Sequence, residues 1–594
     1  MADVATLVAW FDEAETASYD AREKSERDRD YTNGKQLTEK ELAVLRKRGQ
    51  PDVITNRIRG KVNWMRGLEA QQRTDPRAFP RTPGHEQGAE AATDAIRFVC
   101  DNTDWDTTRS EIYDNMLVEG FGGCEVVHKQ GRRGIEVVIN QYAWDRLFYD
   151  PHSSKADFSD ARYKGAVIWA DADTLKKEYP KLAGGIDTTV SSVSATETYE
   201  DKPKYLAWAD ARRKRVRIVL MYYKEGGKWL FAKFHKGEIL EQGESPYVDE
   251  DGESVCPLIM RSVFTDRDNN RYGVVRDMIS PQDEINARRS RALHLLNSRQ
   301  TLGEKGAIDD VQHMKREMAK ADGHVIVNPD YRFEKLDTND LASGQLQLLQ
   351  EAKGEIDLMG ANSALSGETG ESQSGRAVLA RQQGGIIEIA AIRDQLHGLT
   401  REVYRHIWMR VRQFWTEQRW IRVTDDERNV RFVGLNRPVT LAEQLQQVPE
   451  EQAVAIARQM QLRPGDPRLD MPVGRENPVE EMDVDIQIEE VPDMVSLQGE
   501  TFETLVNLAT SMPGAIPPLV LIEAAPGLRR DMKDKIVKMM EEQQAAQQQQ
   551  AQQAAPLQQA MAEAEVVEKQ ANAQKHQATA QKMMAEASAP QFAA

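Results

Sequence analysis

Asn270-Arg271-Tyr272-Gly273-Val274-Val275-Arg276-Asp277, continued by Pro281-Gln282-Asp283-Glu284-Ile285-Asn286 and Arg288-Arg289-Ser290-Arg291, is the stretch on which the reading of this chain turns. From 281 to 297 the pattern is helical. Asp283 and Glu284 lie a turn or so before Arg288, Arg289 and Arg291. Two readings of that crowding stand side by side. One is local i,i+4 pairing, worth a few tenths of a kcal/mol per pair. The other is a seam of alternating charge that pairs with the same helix in a neighbouring copy, the head-to-tail contact by which closed rings are built.

Downstream, 303–335 reads as a small α/β insert, with a helix near 309–321 and a strand at 324–327. A second helix follows from about 340 to 359. The segment 360–375 is polar, with glycines at 360, 367, 370 and 375. The longest helix pattern then runs from about 376 to 420, with Ile389, Ile392, Leu396, Leu399, Val403, Ile407 and Val411 at steps of three and four,. Such a helix spans on the order of 60 Å at about 1.5 Å per residue, and Gly384-Gly385 is a natural kink in it. Strands are expected at 421–424, 430–433 and 484–489. A Pro-, Gly- and Asp-rich linker is expected at 464–478, and a helical unit at 496–540. The tail, 541–594, is dominated by Ala and Gln. It suits either a tube of packed helices or a disordered extension.

Upstream, 1–75 reads as three helices. Thr38 caps the second with Glu41 three residues on. Ile58, Val62, Met65 and Leu68 share one face of the third, and Arg57, Arg59, Lys61 and Arg66 lie on the other. That basic face is either solvated or a contact with DNA or a neighbour. Helices at 88–103 and 107–119 precede a mixed α+β region. Its strands fall at 124–129, 135–140, 146–149, 166–170, 216–223 and 228–234, and a Ser/Thr-rich loop lies at 184–204.

At 594 residues the chain holds several domains or one elaborated fold,. Its net charge of −17 is the opposite of what a general DNA binder carries,. An acidic wall can still let DNA pass, because it repels phosphate. The three cysteines, Cys100, Cys124 and Cys256, form no CxxC pair, so neither a zinc site nor a disulfide framework is expected,. The opening MADVATLVAWFDEAE has no basic region before an apolar core, so it is not read as a signal peptide. No run of about eighteen apolar residues suggests a membrane span.

Catalytic motifs are missing. There is no GxxxxGK[ST]; the nearest glycine-rich run, 367–375, lacks the lysine and carries Glu368 and Glu371. HExxH and GxSxG are absent too. Acidic pairs such as Asp309-Asp310 and Asp425-Asp426 sit in polar loops. No catalytic residue, metal or cofactor is expected, and the chain does not read as an enzyme.

The 270–291 motif resembles the portal proteins of tailed phages, more narrowly those of short-tailed (podovirus) phages. Gly34-Lys35-Gln36-Leu37, Asn56-Arg57-Ile58 and Gln71-Gln72-Arg73 are similar to that family's opening. The run from Gly360-Ala361-Asn362-Ser363-Ala364-Leu365-Ser366-Gly367 to Ser374-Gly375-Arg376-Ala377 resembles its tunnel loop and the start of its long wing helix. Together these cover roughly 30–420. The resemblance implies a mainly α fold with an α+β wing: wing, 1–275; stem helix, 276–298; clip, 299–338; second stem helix, 339–360; tunnel loop, 361–375; long wing helix and strands, 376–495; crown, 496–540; and a helical or disordered, barrel-like Ala/Gln tail, 541–594. It implies a ring, normally of twelve subunits, at one capsid vertex of the virion, assembled in the host cytoplasm. The partners implied are translocated double-stranded DNA, the terminase large subunit, head-completion and tail adaptor proteins, and capsid and scaffolding proteins.

On this reading Asn362, Glu368, Glu371, Ser372, Gln373 and Arg376 line the DNA channel; the alternative is a flexible connector that does not contact DNA. Asp283, Glu284, Arg288, Arg289 and Arg291 form the seam between subunits. Lys315, Arg316 and Lys320 form either a docking face on the clip for the motor or adaptor, or one side of a simple solvated helix. Another structural virion component, or a scaffold-like interaction protein, is the alternative.

Overall fold

Asp3 starts the first helix, its carboxylate accepting from the amide of Thr6 at 3.0 Å,. That helix, α1 (Val4–Asn33), ends at Gly34, whose φ of 92° provides the left-handed turn of a C-cap,. The computed structural model describes residues 1–71, 75–82, 86–132, 134–191, 208–210, 213–297, 300–320, 322–336, 339–359, 375–424, 430–447, 459–460 and 466–489, with short pieces between 505 and 582. Met1–Val423 and Val430–Val491 form one compact unit. In the second unit, Thr424–Asn429 with Pro492–Ala594, residues 575–580 are helical.

After α1 come α2 (Glu39–Lys47), opened by the expected capping box of Thr38 and Glu41, and α3 (Ile58–Gln71). Then follow β1 (Asp75–Pro80), α4 (Glu86–Asn102), α5 (Trp105–Val118), β2 (Phe121–Gly131), β3 (Gly134–Tyr142), β4 (Leu147–Tyr149) and β5 (Tyr163–Asp171). Next are α6 (Ala172–Glu178), α7 (Ala183–Ser191), β6 (Ala209–Asp210), β7 (Arg215–Glu225), β8 (Lys228–Phe234), β9 (Ile239–Glu244), β10 (Leu258–Ser262), β11 (Phe264–Thr265) and β12 (Arg271–Tyr272). The chain continues through α8 (Val275–Asn297), β13 (Thr301–Gly303), α9 (Val311–Ala319), β14 (Phe333–Lys335), α10 (Asn339–Leu358) and α11 (Gly375–Phe414). It closes with β15 (Arg419–Thr424), β16 (Val430–Leu435), β17 (Arg437–Thr440), α12 (Leu441–Gln447), β18 (Pro472–Glu476) and β19 (Val484–Glu489).

Two sheets and a long helix organise the body. The six-stranded sheet has the order β4-β5-β7-β8-β9, with β6 beside β7; a second sheet has the order β10-β2-β3. Alternation along β7 decides what each face covers. Val219, Met221 and Tyr223 meet Leu7, Phe11 and Ala14 of α1. Leu220 and Tyr222 meet Phe121, Leu258 and Met260 of the second sheet. The expected stripe on α11, from Ile389 to Val411, is buried throughout and packs with α3, α4, α5 and β19. Strand β19 returns to pair with β1, Val484 opposite Pro80.

Five local expectations are corrected. Residues 183–191 are helix rather than loop, because Ile186 is buried against Leu175 and Ile218. Residues 324–327 join no ladder; the insert's strands are β13 and β14, paired Leu302 to Glu334. The linker at 464–478 contains β18, which pairs with β17. The long helix stops at Phe414, and Arg419 and Trp420 belong to β15. Helix α8 also begins at Val275, before Pro281. Among the described residues no helix is long and apolar enough to cross a membrane.

Candidate assembly site on two paired helices and the insert between them

The first half of α8 buries Val275, Met278 and Ile279 in the main core, and side-chain amides hold the turn that follows. Asn286 donates from Nδ2 to Oε1 of Gln36 at 2.6 Å and accepts on Oδ1 from the Thr55 amide at 3.0 Å. Gln282 donates to the Thr55 carbonyl at 2.8 Å and accepts from the Arg57 amide at 3.0 Å. Asn56 donates to the carbonyls of Tyr31 and Thr32 at the end of α1. Gln36, Gln282 and Asn286 are buried, so each must find such partners or lose free energy to desolvation.

Ion pairs extend this junction. Asp28, 1% exposed, accepts from Arg276 at 3.1 Å. Burial pushes the Asp28 carboxyl up to about 6, with Arg276 pulling it down,. Arg29 bridges α1 to α5, reaching Asp114 and Glu119 at 2.6 Å each. Burial raises Glu119 to about 7 against the pull of Arg29. Just before α8, Arg271 is buried over the Phe158 ring and donates to the Ser153 carbonyl at 2.8 Å. Gly273 passes so close to α5 that a Cβ would lie 2.2 Å from the Leu117 carbonyl oxygen. The decisive motif is thus a joint between α1, α5 and α8.

The five seam residues have different surroundings. Asp283 accepts from the Tyr31 hydroxyl at 2.6 Å and lies 3.5 Å from Arg27; burial raises its carboxyl, and those two partners lower it. Glu284 pairs with Arg288 at 3.0 Å, the i,i+4 contact, and Arg288 also reaches Gln345 of α10 at 3.2 Å. Arg289 donates to the Thr55 hydroxyl at 2.8 Å. Arg291 is exposed and pairs with no other described residue. Arg57, just before α3, and Lys61 on it bind Asp357 at the end of α10, and Arg66 lies 3.5 Å from Asp114.

Helices α8 and α10 pack through Ile285 against Leu349, Ala352 and Ile356. At the two edges of that packed face, α10 leaves Leu341 and Leu346 at 63% and 45% exposure,. The insert also exposes Leu302, Val311, Ile326 and Tyr331. Asp310 caps α9, accepting from the amides of Gln312 and His313, and those bonds lower its pKa. Lys315, Arg316 and Lys320 are exposed on or just after α9; Lys320 pairs with Glu317 at 2.7 Å.

The glycine-rich segment 360–374, with Asn362, Glu368, Glu371, Ser372 and Gln373, lies outside the described residues, as do the Arg376 side chain and Gln72-Arg73. Sequence reasoning did not assign the polar contacts Asp28–Arg276, Arg29–Glu119 and Gln36–Asn286. Their signal was present as polar residues spaced three and four apart along α1, at Arg22, Ser25, Asp28 and Thr32.

A family model described as Phage P22-like portal protein matches residues 8–583. The portal protein of Helicobacter pylori bacteriophage KHP30 is 20% identical over 412 residues, which is 68% of this chain. The match spans 66% of that relative's own length, just under two thirds.

Proposed function

The chain belongs to the phage P22-like portal protein family, and on that premise we propose that it forms the ring-shaped channel at one capsid vertex. Through it the terminase motor packages double-stranded DNA, the genome is retained and later ejected, and tail proteins attach. The role is architectural rather than catalytic. Helix α8 is the first stem helix, 299–338 the clip and α10 the returning stem helix. The segment 361–375 is the tunnel loop, 376–495 the long wing helix with its strands, 496–540 the crown and 541–594 the tail extension.

One observation carries this reading. The α8–α10 pair and its insert leave Leu302, Val311, Ile326, Leu341 and Leu346 exposed, apolar surface of the kind that marks an interaction site. A neighbouring copy in a closed ring covers it. Lys315, Arg316 and Lys320 at the insert then face the motor or adaptor. The acidic balance of the chain suits a channel that passes DNA without holding it,. Negative-stain microscopy and sedimentation of the full chain test the reading. Rings with a central hole, near twelve subunits, are expected. Monomers or open filaments at high concentration, with scaffolding protein present, overturn it.

A further inference from the structure

Residues 324–327 have a strand's alternation and no strand partner. His324 and Ile326 are exposed while Val325 and Val327 are half-buried,, and Ile326 is 80% exposed. The run is anchored at both ends. At Gly323 the chain passes so near the end of α9 that a Cβ would lie 1.7 Å from the Glu317 carbonyl oxygen. At Asn328 the backbone amide donates to the Ala307 carbonyl at 3.0 Å, and the side-chain amide to Gly306 and Asp309 at 2.9 and 2.8 Å. Between these anchors the backbone groups of Val325, Ile326 and Val327 form no hydrogen bond to another described residue. The sequence here is therefore β-branched, with Ile326 facing solvent and the amides unpaired among the described residues, which is how a strand awaiting an edge presents itself,.

The same insert supplies an edge. β13 and β14 form a ribbon of two strands, an arrangement marginal in water on its own. Among the described residues the outer side of β14 has no neighbour. Charge matches the two surfaces: Asp322 and Asp330 bracket the unpaired run, while Arg332 and Lys335 bracket β14, and all four are exposed. Arg332 is 72% exposed and pairs with Glu334 of its own strand, leaving its guanidinium open to a second carboxylate,.

We infer that residues 324–327 pair with the outer edge of β14 in a second copy of this chain, making a three-stranded sheet across the subunit boundary. The inference rests on the ring reading and adds to it a backbone ladder between copies. The contact is head-to-tail, so each insert gives one strand and receives one, and a closed ring satisfies every edge. It buries Ile326 and gives the free amides partners, two gains no lone subunit offers.

Hydrogen–deuterium exchange on the full-length protein is the test, with rings compared to subunits separated by size. The amides of Val325, Ile326 and Val327 slow in the ring by on the order of a hundredfold. Rings in which these amides exchange as fast as in free subunits overturn the pairing and leave the ring reading standing. Absence of rings under every condition overturns both. Charge tests the choice of edge. Asp322→Lys with Asp330→Lys raises the concentration needed for ring formation about tenfold. Adding Arg332→Glu and Lys335→Glu restores it, and failure of that restoration overturns β14 as the edge.

Discussion

Asn286 on α8 and Gln36 beyond the end of α1 meet amide to amide at 2.6 Å, both buried and 250 residues apart in sequence. Neither side chain has water to fall back on, so the contact fixes where α8 leaves the body. Asn286→Ala removes a donor from Gln36 and an acceptor from the Thr55 amide, and each orphaned group costs about 1–3 kcal/mol. The expected loss is about 3 kcal/mol, read as a lower urea midpoint. Arg291→Ala, at an exposed position on the same helix, shifts stability by less than about 0.5 kcal/mol. Equal effects from the two would show that the amide network does not hold the joint.

Gly273 and Gly120 lie where α8's lead-in crosses the end of α5. Gly120 has φ of 92°, and a Cβ there would lie 2.1 Å from the Tyr272 carbonyl carbon. Gly273→Ala would push backbone against backbone, which no rotamer change relieves, and is expected to cost roughly 3 kcal/mol or more. Thermal melting and soluble yield report it. Gly60→Ala, in open space on α3, is the matched control and is expected to be neutral or stabilising.

Asp28 and Glu119 make the joint sensitive to pH in a defined direction. Burial raises them to about 6 and about 7, above their ordinary values of 3.8 and 4.5. Between the ordinary and the raised values the folded chain binds more protons than the unfolded chain. Their contribution is therefore fully present below about 4 and is lost as pH rises through 6 to 7. Asp28→Asn with Glu119→Gln flattens the slope of melting temperature against pH across that window. An unchanged slope would exclude these two carboxyls as its source.

Leu341→Lys with Leu346→Lys places charge at two exposed positions flanking the packed face of α10 and leaves Leu349, Ala352 and Ile356 in place. Ring yield is expected to fall by about tenfold or more while the melting of the subunit stays the same. Sedimentation and calorimetry on one preparation separate the two quantities. Rings formed at undiminished yield would take this face out of the assembly.

Glu368→Lys with Glu371→Lys reverses the charge of the glycine-rich segment before α11. If that segment governs DNA passage, the variant holds phosphate and slows packaging. Packaging rate and DNA retention in filled heads are the readouts. Neither changing would assign the segment a connecting role only.

Much of the architecture was legible where helix faces are apolar. The stripe from Ile389 to Val411 was read from its spacing and is buried throughout. The Thr38–Glu41 box was read from two residues and is present. Where the inward face is polar the same method stops short. Helix α1 runs to Asn33 although its last turns bury Arg22, Ser25, Asp28 and Thr32, a polar face that apolar spacing does not mark. The motif from Asn270 to Arg291 marked the family correctly, but its charges suggested pairing only within a helix or between copies.

By itself the sequence determined the helices whose inward faces are apolar, the absence of recognised catalytic motifs and the family, because these depend on local spacing and residue type. The tertiary structure alone decided what the motif does within one chain. Asp283 meets Tyr31, Arg289 meets Thr55, and Asn286 meets Gln36. Hydrogen bonds and ion pairs are directional and short, so their partners follow from which backbone segments fold close together. Spacing along the chain carries no record of that for groups two hundred residues apart.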